Sequence, residues 1–231
     1  MRLYLASTSP ARLALLRQIG IEPVILPSQV DEEAAVIAAE AASGPLSAPA
    51  LVQLLARLKA EAVLAATPGG QPLDGFVLGG DSAFEFDGVI YGKPHRPEIA
   101  KERWLRQRGR SGVLHSGHWL VDRRAGAAVA AGAAGAAGAA GAAGAAGAAG
   151  AVTSATVEFA ADIAEAEIDA YIASGEPLEV AGAFTVDGLA APFIQSITGA
   201  PSTVIGMSLP TVRELLGGFG VSISDFWAPP L

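Results

Sequence analysis

The sequence predicts a mixed α/β fold with a twisted, partly antiparallel sheet, and three local patterns carry that prediction. A short apolar strand at 2–6 precedes Ser9-Pro10, and Gly20 ends the apolar helical repeat that follows, as expected for a helix start and stop. Asp87-Gly88 joins two apolar runs and is typical of a type I′ hairpin turn. Strands and helices alternate irregularly along the chain, which favours a mixed sheet.

The elements before the hairpin follow from apolar runs and the residues that interrupt them. After the first helix, Pro27 closes a strand at 21–26, and a loop at 43–49 separates two alanine-rich helices. Phe76-Val77-Leu78 is apolar and ends at Gly79-Gly80, so we predict a buried strand that stops there and a new strand at 83–86. In chain order, the predicted elements of this half are helices at 10–19, 34–42 and 50–66 and strands at 2–6, 21–26, 76–78 and 83–86.

The second half has the same mixture of patterns. Alternating or apolar runs predict strands, and the amphipathic segment at 165–174 predicts a helix. Pro at the first position favours two further helices, at 97–108 and 210–216. The predicted strands of this half are 89–91, 113–121 and 152–159.

Length, charge and cysteine content exclude several classes of protein. A chain of 231 residues suits a single large domain. The absence of cysteine excludes zinc fingers, iron–sulfur clusters, thiol catalysis and disulfides. A net charge of −8 argues against binding to a nucleic acid polymer, because that affinity comes mainly from neutralised phosphates. The first residues lack the apolar run of a signal peptide, so we expect a cytoplasmic protein without a membrane span.

One low-complexity tract interrupts the predicted domain. Residues Ala125–Ala151 are alanine and glycine apart from one valine, with glycine at every third position from Gly132 to Gly150. Repeated glycine disfavours a helix, and the tract has no Leu, Ile or Phe to drive membrane insertion. We expect an expanded hairpin connection between strands 113–121 and 152–159, without a role in chemistry.

The start of the first predicted helix is a candidate anion site. Free backbone N–H groups and the helix dipole favour negative charge there, and the hydroxyl of Ser7 and the guanidinium of Arg12 can add donors for a phosphate. The alternative is that Ser9 only caps the helix and Arg12 is a solvated surface residue.

Two acidic motifs are candidates for metal binding or proton transfer. Asp31-Glu32-Glu33 follows the second strand and suits magnesium, although acidic residues also simply stabilise a helix start. Asp81 follows two glycines at a strand end, where a carboxylate can serve as general base or metal ligand. The alternative for Asp81 is a turn in which its side chain bonds its own backbone.

The lysines and histidines divide into two groups. Lys59 lies in the predicted helix 50–66, and Lys93 lies between Gly92 and Pro94; both can meet phosphate, or simply solvate the surface. His115 and His118 are three residues apart in a predicted strand, so we expect them on opposite faces, as structural residues. No P-loop or dinucleotide-binding glycine motif is present in the sequence.

Taken in order, these motifs resemble those of the Maf family of nucleotide pyrophosphatases. Later segments agree with it, including Gly175-Glu176-Pro177, Ala181-Gly182-Ala183-Phe184 and Val204-Ile205-Gly206. The motifs that carry the resemblance are Leu5-Ala6-Ser7-Thr8-Ser9-Pro10-Ala11-Arg12, Val30-Asp31-Glu32, Lys59-Ala60, Gly80-Asp81-Ser82 and Gly92-Lys93-Pro94. The resemblance covers the chain except for the Ala/Gly tract and the C-terminal tail.

The resemblance implies a fold of two lobes around a central cleft, similar to that of inosine triphosphate pyrophosphatases. It also implies hydrolysis of nucleoside triphosphates to the monophosphate and pyrophosphate with a divalent cation, either magnesium, manganese or cobalt. By resemblance, Glu32 and Asp81 would place the metal, and Asp81 would accept a proton from the attacking water. The phosphates would be held by Ser7, Arg12, Lys59 and Lys93. The resemblance is also compatible with a homodimer.

The chain departs from the family pattern at positions linked to base preference. The branch that acts on thymidine and uridine triphosphates carries Arg, Thr and Gln where this chain has Ala11, Ser82 and Asp187. A carboxylate can accept from a base N–H but cannot donate as glutamine does. The preferred base therefore stays open.

Three functions compete at this level. The first is a pyrophosphatase that removes non-standard or surplus nucleotides, and the second is a non-enzymatic, nucleotide-binding regulator of cell division, which the family's link to septum formation suggests. The third is a phosphatase that removes only the terminal phosphate. The presence of Asp81, Glu32 and Lys93 favours the first, because a pure binder needs no base beside a metal site.

Overall fold

The computed structural model describes residues 1–124 and 147–227, which form one mixed sheet with helices packed on it. The strands are β1 (Leu3–Leu5), β2 (Val24–Ile25), β3 (Phe76–Phe86), β4 (Val89–Tyr91), β5 (Ser111–Asp122), β6 (Ala148–Phe159) and β7 (Ile194–Thr198). The helices are α1 (Pro10–Gln18), α2 (Glu32–Ser43), α3 (Ala48–Ala62), α4 (Pro97–Gln107), α5 (Glu165–Ala173), α6 (Pro201–Ile205) and α7 (Leu209–Gly218).

The sheet combines parallel and antiparallel pairs. Its strand order is β2-β1-β3-β5-β6-β7, and β4 pairs with the far end of β3. β1 runs parallel to β2 and β3, whereas β3, β5, β6 and β7 pair antiparallel to one another in that order. The predicted mixed, partly antiparallel sheet is confirmed. The central cleft and the likeness to inosine triphosphate pyrophosphatases stay predictions.

Local signals located most of the predicted elements. α1 begins after Ser9, whose hydroxyl accepts from the Arg12 backbone N–H, as predicted. Asp87 and Gly88 have φ values of 52° and 73°, which fit the predicted type I′ turn between β3 and β4. β2 is shorter than the predicted strand at 21–26, and β7 and α6 were not predicted, because each has only five residues and little periodicity.

The prediction that a strand ends at Gly79-Gly80 is wrong. β3 continues through both glycines and pairs with β5 from Phe76 to Glu85. A Cβ at Gly79 would lie 2.1 Å from the Ala56 carbonyl oxygen, so this glycine lets α3 pack close to the sheet and makes no turn.

The other edge of β3 is nevertheless open at residues 79–83. β1 pairs with β3 only up to Leu78, and β4 pairs with it only from Phe84 onward. Asp81 therefore lies in the middle of a strand that is hydrogen-bonded to β5 on one side and, among the described residues, unpaired on the other. We call residues 79–83 the open stretch of β3.

Two glycines determine how closely α3 approaches the sheet. Besides Gly79, Gly117 on β5 faces the helix, and a Cβ there would lie 2.3 Å from the Val52 carbonyl oxygen. Because α3 carries Lys59, this close packing also determines how near that lysine comes to β3.

Replacing Gly79 with alanine is expected to lower the free energy of unfolding by about 2–3 kcal/mol, because the new methyl group overlaps a backbone oxygen of α3. Chemical denaturation measures the change. Gly217→Ala is the matched control: that glycine lies in α7 with nothing within 4 Å of the added Cβ, so stability should hold or rise. Equal stabilities of the two variants would contradict the steric explanation.

The last residues of the Ala/Gly tract belong to the sheet and not to the connection predicted from the sequence. Residues 125–146, and the hairpin connection predicted there, lie outside the described residues. Ala148–Ala151, which the sequence assigned to the tract, belong to β6 and pair with Val121–His118 of β5. A Cβ at Gly150 would lie 2.3 Å from the Trp119 ring, so this end of the repeat is packed structure.

The hydrophobic core lies on both sides of the sheet. On one face, one cluster surrounds Trp104 and Phe84 and another surrounds Leu16 and Leu216 of α1 and α7. On the opposite face, α3 covers a third cluster with Val77 and Trp119. In the described parts of the chain, no helix is both long enough and apolar enough to span a bilayer.

Candidate active site

The open stretch of β3 presents polar side chains to both faces of the sheet. Side chains alternate along a strand, so Asp81 faces α3, as Gly79 does, and Ser82 faces α1 and α6. Asp81 accepts a hydrogen bond from Lys59 on α3, and Ser82 contacts Arg12 on α1. The strand therefore joins two sequence motifs that are far apart in the chain.

Lys59 is shared by two carboxylates. Its Nζ lies 2.7 Å from Asp81 Oδ1 and 2.7 Å from Glu32 Oε1. Lys59 and Asp81 are buried, whereas the side chain of Glu32 is 50% exposed. Burial raises the pKa of Asp81 above its ordinary value, while the charges of Lys59 and Arg12 act in the opposite direction. A carboxylate with a raised pKa is a better proton acceptor than an exposed aspartate.

Arg12 is fixed by three contacts on the other face. Its Nε donates to the Gly206 carbonyl at 2.9 Å, Nη1 donates to Ser7 Oγ at 3.3 Å, and Nη2 donates to Ser82 Oγ at 3.1 Å. Burial lowers the pKa of Arg12, and the charges of Asp81 and Glu32 raise it. The arginine is buried, so the alternative of a solvated surface residue is wrong.

The helix-cap alternative for the acidic motif is correct for one of its residues. Asp31 is the N-cap of α2 and accepts from the Ala34 N–H at 3.0 Å. This cap places Glu32 at the first position of the helix, from which it reaches Lys59. Asp31 thus has the structural role and Glu32 lies at the site.

The structure does not bring every candidate residue to this cluster. Lys93 is exposed and lies 3.7 Å from Glu179, and no described contact joins it to Arg12 or Lys59. Ala11 is half-buried on α1, and Asp187 is exposed in the loop that follows Ala181–Ala183. Of the three positions that the resemblance links to base preference, Ser82 alone touches the cluster among the contacts of the described residues.

Two groups that the sequence analysis missed help to hold Arg12 and its partner Ser82 in place. The Gly206 carbonyl accepts from both Arg12 and Ser82, and Ser116 Oγ lies 3.1 Å from Ser82 Oγ. Ser116 also donates to the Thr203 carbonyl at 2.9 Å. The sequence carried a signal for Ser116, since His115-Ser116-Gly117-His118 is a polar run inside an otherwise apolar strand.

The two histidines of β5 have structural roles on opposite faces, as predicted. His118 Nε2 accepts from the Ser208 N–H at 2.8 Å at the start of α7, and burial lowers its pKa to about 4. It is therefore neutral, with the proton on Nδ1, which faces the Ala151 carbonyl. His115 lies on the other face beside Ser154 and Glu85.

The donor set fits a divalent cation that is shared with a phosphate. Within residues 1–124 and 147–227, no group of three or more potential ligands surrounds one point. Glu32 and Asp81 each place an oxygen 2.7 Å from Lys59 Nζ, so these oxygens lie within twice that distance of each other. Magnesium-type ions commonly take one or two protein carboxylates and complete their shell with water and substrate phosphates.

Comparison with known proteins shows the family of this chain. The family model described as "Maf-like protein" matches residues 2–219. A protein of Leifsonia xyli subsp. xyli named nucleoside triphosphate pyrophosphatase is 61% identical over 98% of this chain and 97% of its own length. Proteins of the same name from Salinispora tropica and Nocardia farcinica are each 46% identical over 99% of this chain, and over 88% and 97% of their own lengths. This chain belongs to the Maf-like protein family.

Proposed function

We propose that this protein hydrolyses nucleoside triphosphates to the nucleoside monophosphate and pyrophosphate. The observation that carries the proposal is the buried Asp81, which lies on an unpaired strand edge with Lys59 in contact and Arg12 close by. The shared name of the relatives, nucleoside triphosphate pyrophosphatase, supports the same reaction.

The cations and the start of α1 are suited to hold the phosphate chain. A triphosphate brings about four negative charges, and its cleavage depends mainly on positioning and charge neutralisation. Arg12 uses three N–H groups on the protein, which leaves two of its five for a phosphate. Ser7, Lys59 and the N-terminal backbone of α1 would provide further donors.

Lys93 would join the phosphates only after a local rearrangement. In the free protein it faces Glu179, and both side chains are exposed. An exposed ion pair contributes about 1 kcal/mol or less, so a phosphate can displace Glu179 at little cost. The role of Lys93 in phosphate binding is therefore part of the proposal.

Glu32 and Asp81 would hold a divalent cation, which supplies charge neutralisation and activates water when bound. Asp81 would accept the proton of the attacking water. Its burial, which raises its pKa, makes it a stronger base than an exposed aspartate. Lys59 has three donors, so it can keep Asp81 oriented while it also contacts a phosphate.

We further propose that the substrates are non-standard or surplus nucleotides. At the specificity positions, Ala11 offers only a methyl group, and Ser82 is engaged by Arg12 and the Gly206 carbonyl. Asp187 is the exposed acceptor among the three. This arrangement favours no single standard base.

The deciding experiment is a screen of canonical and modified nucleoside triphosphates with magnesium, manganese or cobalt. The products distinguish the competing functions. Pyrophosphate release supports the proposal, orthophosphate alone indicates a terminal phosphatase, and binding without turnover indicates a regulator. Either of the last two results would overturn the proposed reaction.

Deleting residues 132–146 is expected to leave pyrophosphate release within a few-fold of the parent. The strand ends on either side are already joined, because the Asp122 N–H donates to the Gly147 carbonyl at 2.8 Å. Loop closure changes by only about 0.6 kcal/mol per doubling of length. The longer deletion to Gly150 is the contrast, since it removes residues 148–150 of β6, which pair with residues 119–121 of β5, and should destabilise the protein. Loss of turnover in a folded 132–146 deletion would contradict the prediction.

A further inference from the structure

The half-buried carboxylate of Glu176 accepts hydrogen bonds from two different segments. It lies in the short turn Glu176–Glu179 after α5, where the Tyr171 hydroxyl donates to Oε1 at 3.0 Å. From the following loop, the Thr185 hydroxyl donates to Oε1, and the Leu189 N–H lies 3.0 Å from Oε1 and 3.1 Å from Oε2. One carboxylate thus joins both ends of residues 185–189, the span that contains Asp187, to the end of α5.

The start of the same loop is held from the opposite side. Trp104 Nε1 donates to the Ala183 carbonyl at 2.8 Å, and Gln107 Nε2 donates to the Gly182 carbonyl at 3.1 Å, both from α4. Gly182 and Ala183 have φ values of 74° and 65°, a conformation that an alanine adopts only when its surroundings hold it. The backbone of this loop is therefore fixed, although Asp187 and Leu189 expose their side chains.

The start of the loop packs on the face of β3 that also carries Ser82, the residue in contact with Arg12. A Cβ at Gly182 would lie 2.7 Å from the Phe84 ring. Phe84 is two residues beyond Ser82 on β3, so both side chains point to the same face of the sheet. Ser82 and Phe84 are about 6.6 Å apart along the strand, so Gly182, at the start of the loop, packs on the side-chain neighbour of the residue that contacts Arg12.

We propose that Glu176 is a positioning residue that holds the loop 185–190 in one conformation and thereby sets the discrimination between nucleotides. The inference rests on the hydrolysis proposed above. Glu176 touches no residue of the Lys59–Asp81 pair in the described contacts, so it affects selection more than the rate of the chemical step. The donors from Tyr171, Thr185 and Leu189 satisfy both carboxylate oxygens, and hydrogen bonds to a charged acceptor are the stronger kind. Together they lower the pKa of Glu176, against the effect of burial, which raises it.

Replacing Glu176 with alanine tests the proposal. We expect the ratio of kcat/KM between the best and worst of ATP, GTP, CTP, UTP and TTP to change about ten-fold or more. The kcat for the best substrate should stay within about three-fold of the parent. E176Q keeps one acceptor oxygen and should restore most of the parental ratio.

A second substitution guards against a folding defect in the alanine variant. Thr185→Val removes a single donor from the loop, is nearly isosteric, and should shift the ratio in the same direction by about three-fold. Glu158→Ala is the matched control: its carboxylate accepts from Ser196 on the neighbouring strand and touches no residue of the loop, so it should leave the ratio unchanged.

The outcomes separate this proposal from the function on which it rests. Absence of pyrophosphate release by the parent protein refutes the proposed function. If the parent is active and the folded variants lose rate equally for all five nucleotides, or keep the parental ratios, Glu176 is only structural and the positioning role is refuted. A shift in the ratios at nearly constant kcat supports it.

Discussion

Replacing Asp81 with asparagine is expected to reduce pyrophosphate release by about 10²–10⁴-fold while the nucleotide still binds. The amide is nearly isosteric, so it keeps the shape of the site and a contact with Lys59 Nζ through its oxygen. It cannot accept a proton at neutral pH, and it attracts a cation only weakly. Steady-state release of pyrophosphate and calorimetric titration with a triphosphate measure the two effects separately.

The control for this prediction is the neighbouring Ser82→Ala. Ser82 lies on the opposite face of β3 and contacts Arg12, so its loss should raise KM with a smaller effect on kcat. If the Asp81 variant turns over at nearly the parental rate, Asp81 is not the proton acceptor of the reaction.

Replacing Lys59 with methionine is expected to lower kcat/KM by at least about 10²-fold and to move the acid limb of the pH–rate profile upward. Burial already raises the pKa of Asp81, and the charge of Lys59 is the first of the influences that oppose it. Without the ammonium group, the carboxylate stays protonated to higher pH. Because the ionised form is the active one, activity is lost at a higher pH as the solution is acidified.

Glu32→Gln gives the opposite shift and serves as the matched control. The negative charge of Glu32 contributes to raising the pKa of Asp81, so its removal should move the acid limb downward. The comparison uses the slope and midpoint of log kcat/KM against pH below neutrality. Shifts of the same sign in the two variants would show that Asp81 does not produce the acid limb.

Features decided by local chemistry could be predicted from the sequence. The α1 boundary follows from Ser9-Pro10, because a capping hydroxyl and a fixed φ act within one helical turn. The turn at Asp87-Gly88 follows from the two positive φ values that a type I′ turn needs. Such features depend on neighbours in the chain and need no tertiary partner.

The error at Gly79 has a tertiary cause. Glycine permits a turn, and it also permits close approach of another backbone; the sequence around Gly79-Gly80 does not distinguish them. In the structure, α3 packs so closely that the Ala56 carbonyl occupies the position of a Cβ at Gly79. The glycine therefore serves close packing within a continuous strand and not a turn. Without knowing where α3 packs, that choice could not be made.

Only part of the candidate site could be predicted, again because some of its features depend on tertiary contacts. Motifs identified Ser7, Arg12, Glu32, Lys59 and Asp81. The structure joins them in two contact groups, Ser7 with Arg12, and Glu32 and Asp81 with Lys59, on the two faces of β3. The position of Lys93 depends on a loop conformation and on its exposed partner Glu179, neither of which the motif specifies. The role of the Gly206 carbonyl was also hidden, because a backbone oxygen leaves no residue type to recognise.

The sharing of Lys59 between two carboxylates affects how substrates reach the protein from a distance. Lys59 and Arg12 together balance the charges of Glu32 and Asp81, so the group as a whole has no net charge. The chain as a whole carries a net charge of −8. Without a bound cation, neither this group nor the chain as a whole supplies a net positive charge, so we expect electrostatic steering to add little to the association rate of a polyanionic nucleotide. Capture depends instead on short-range contacts made after encounter, and these are less sensitive to ionic strength than long-range attraction is.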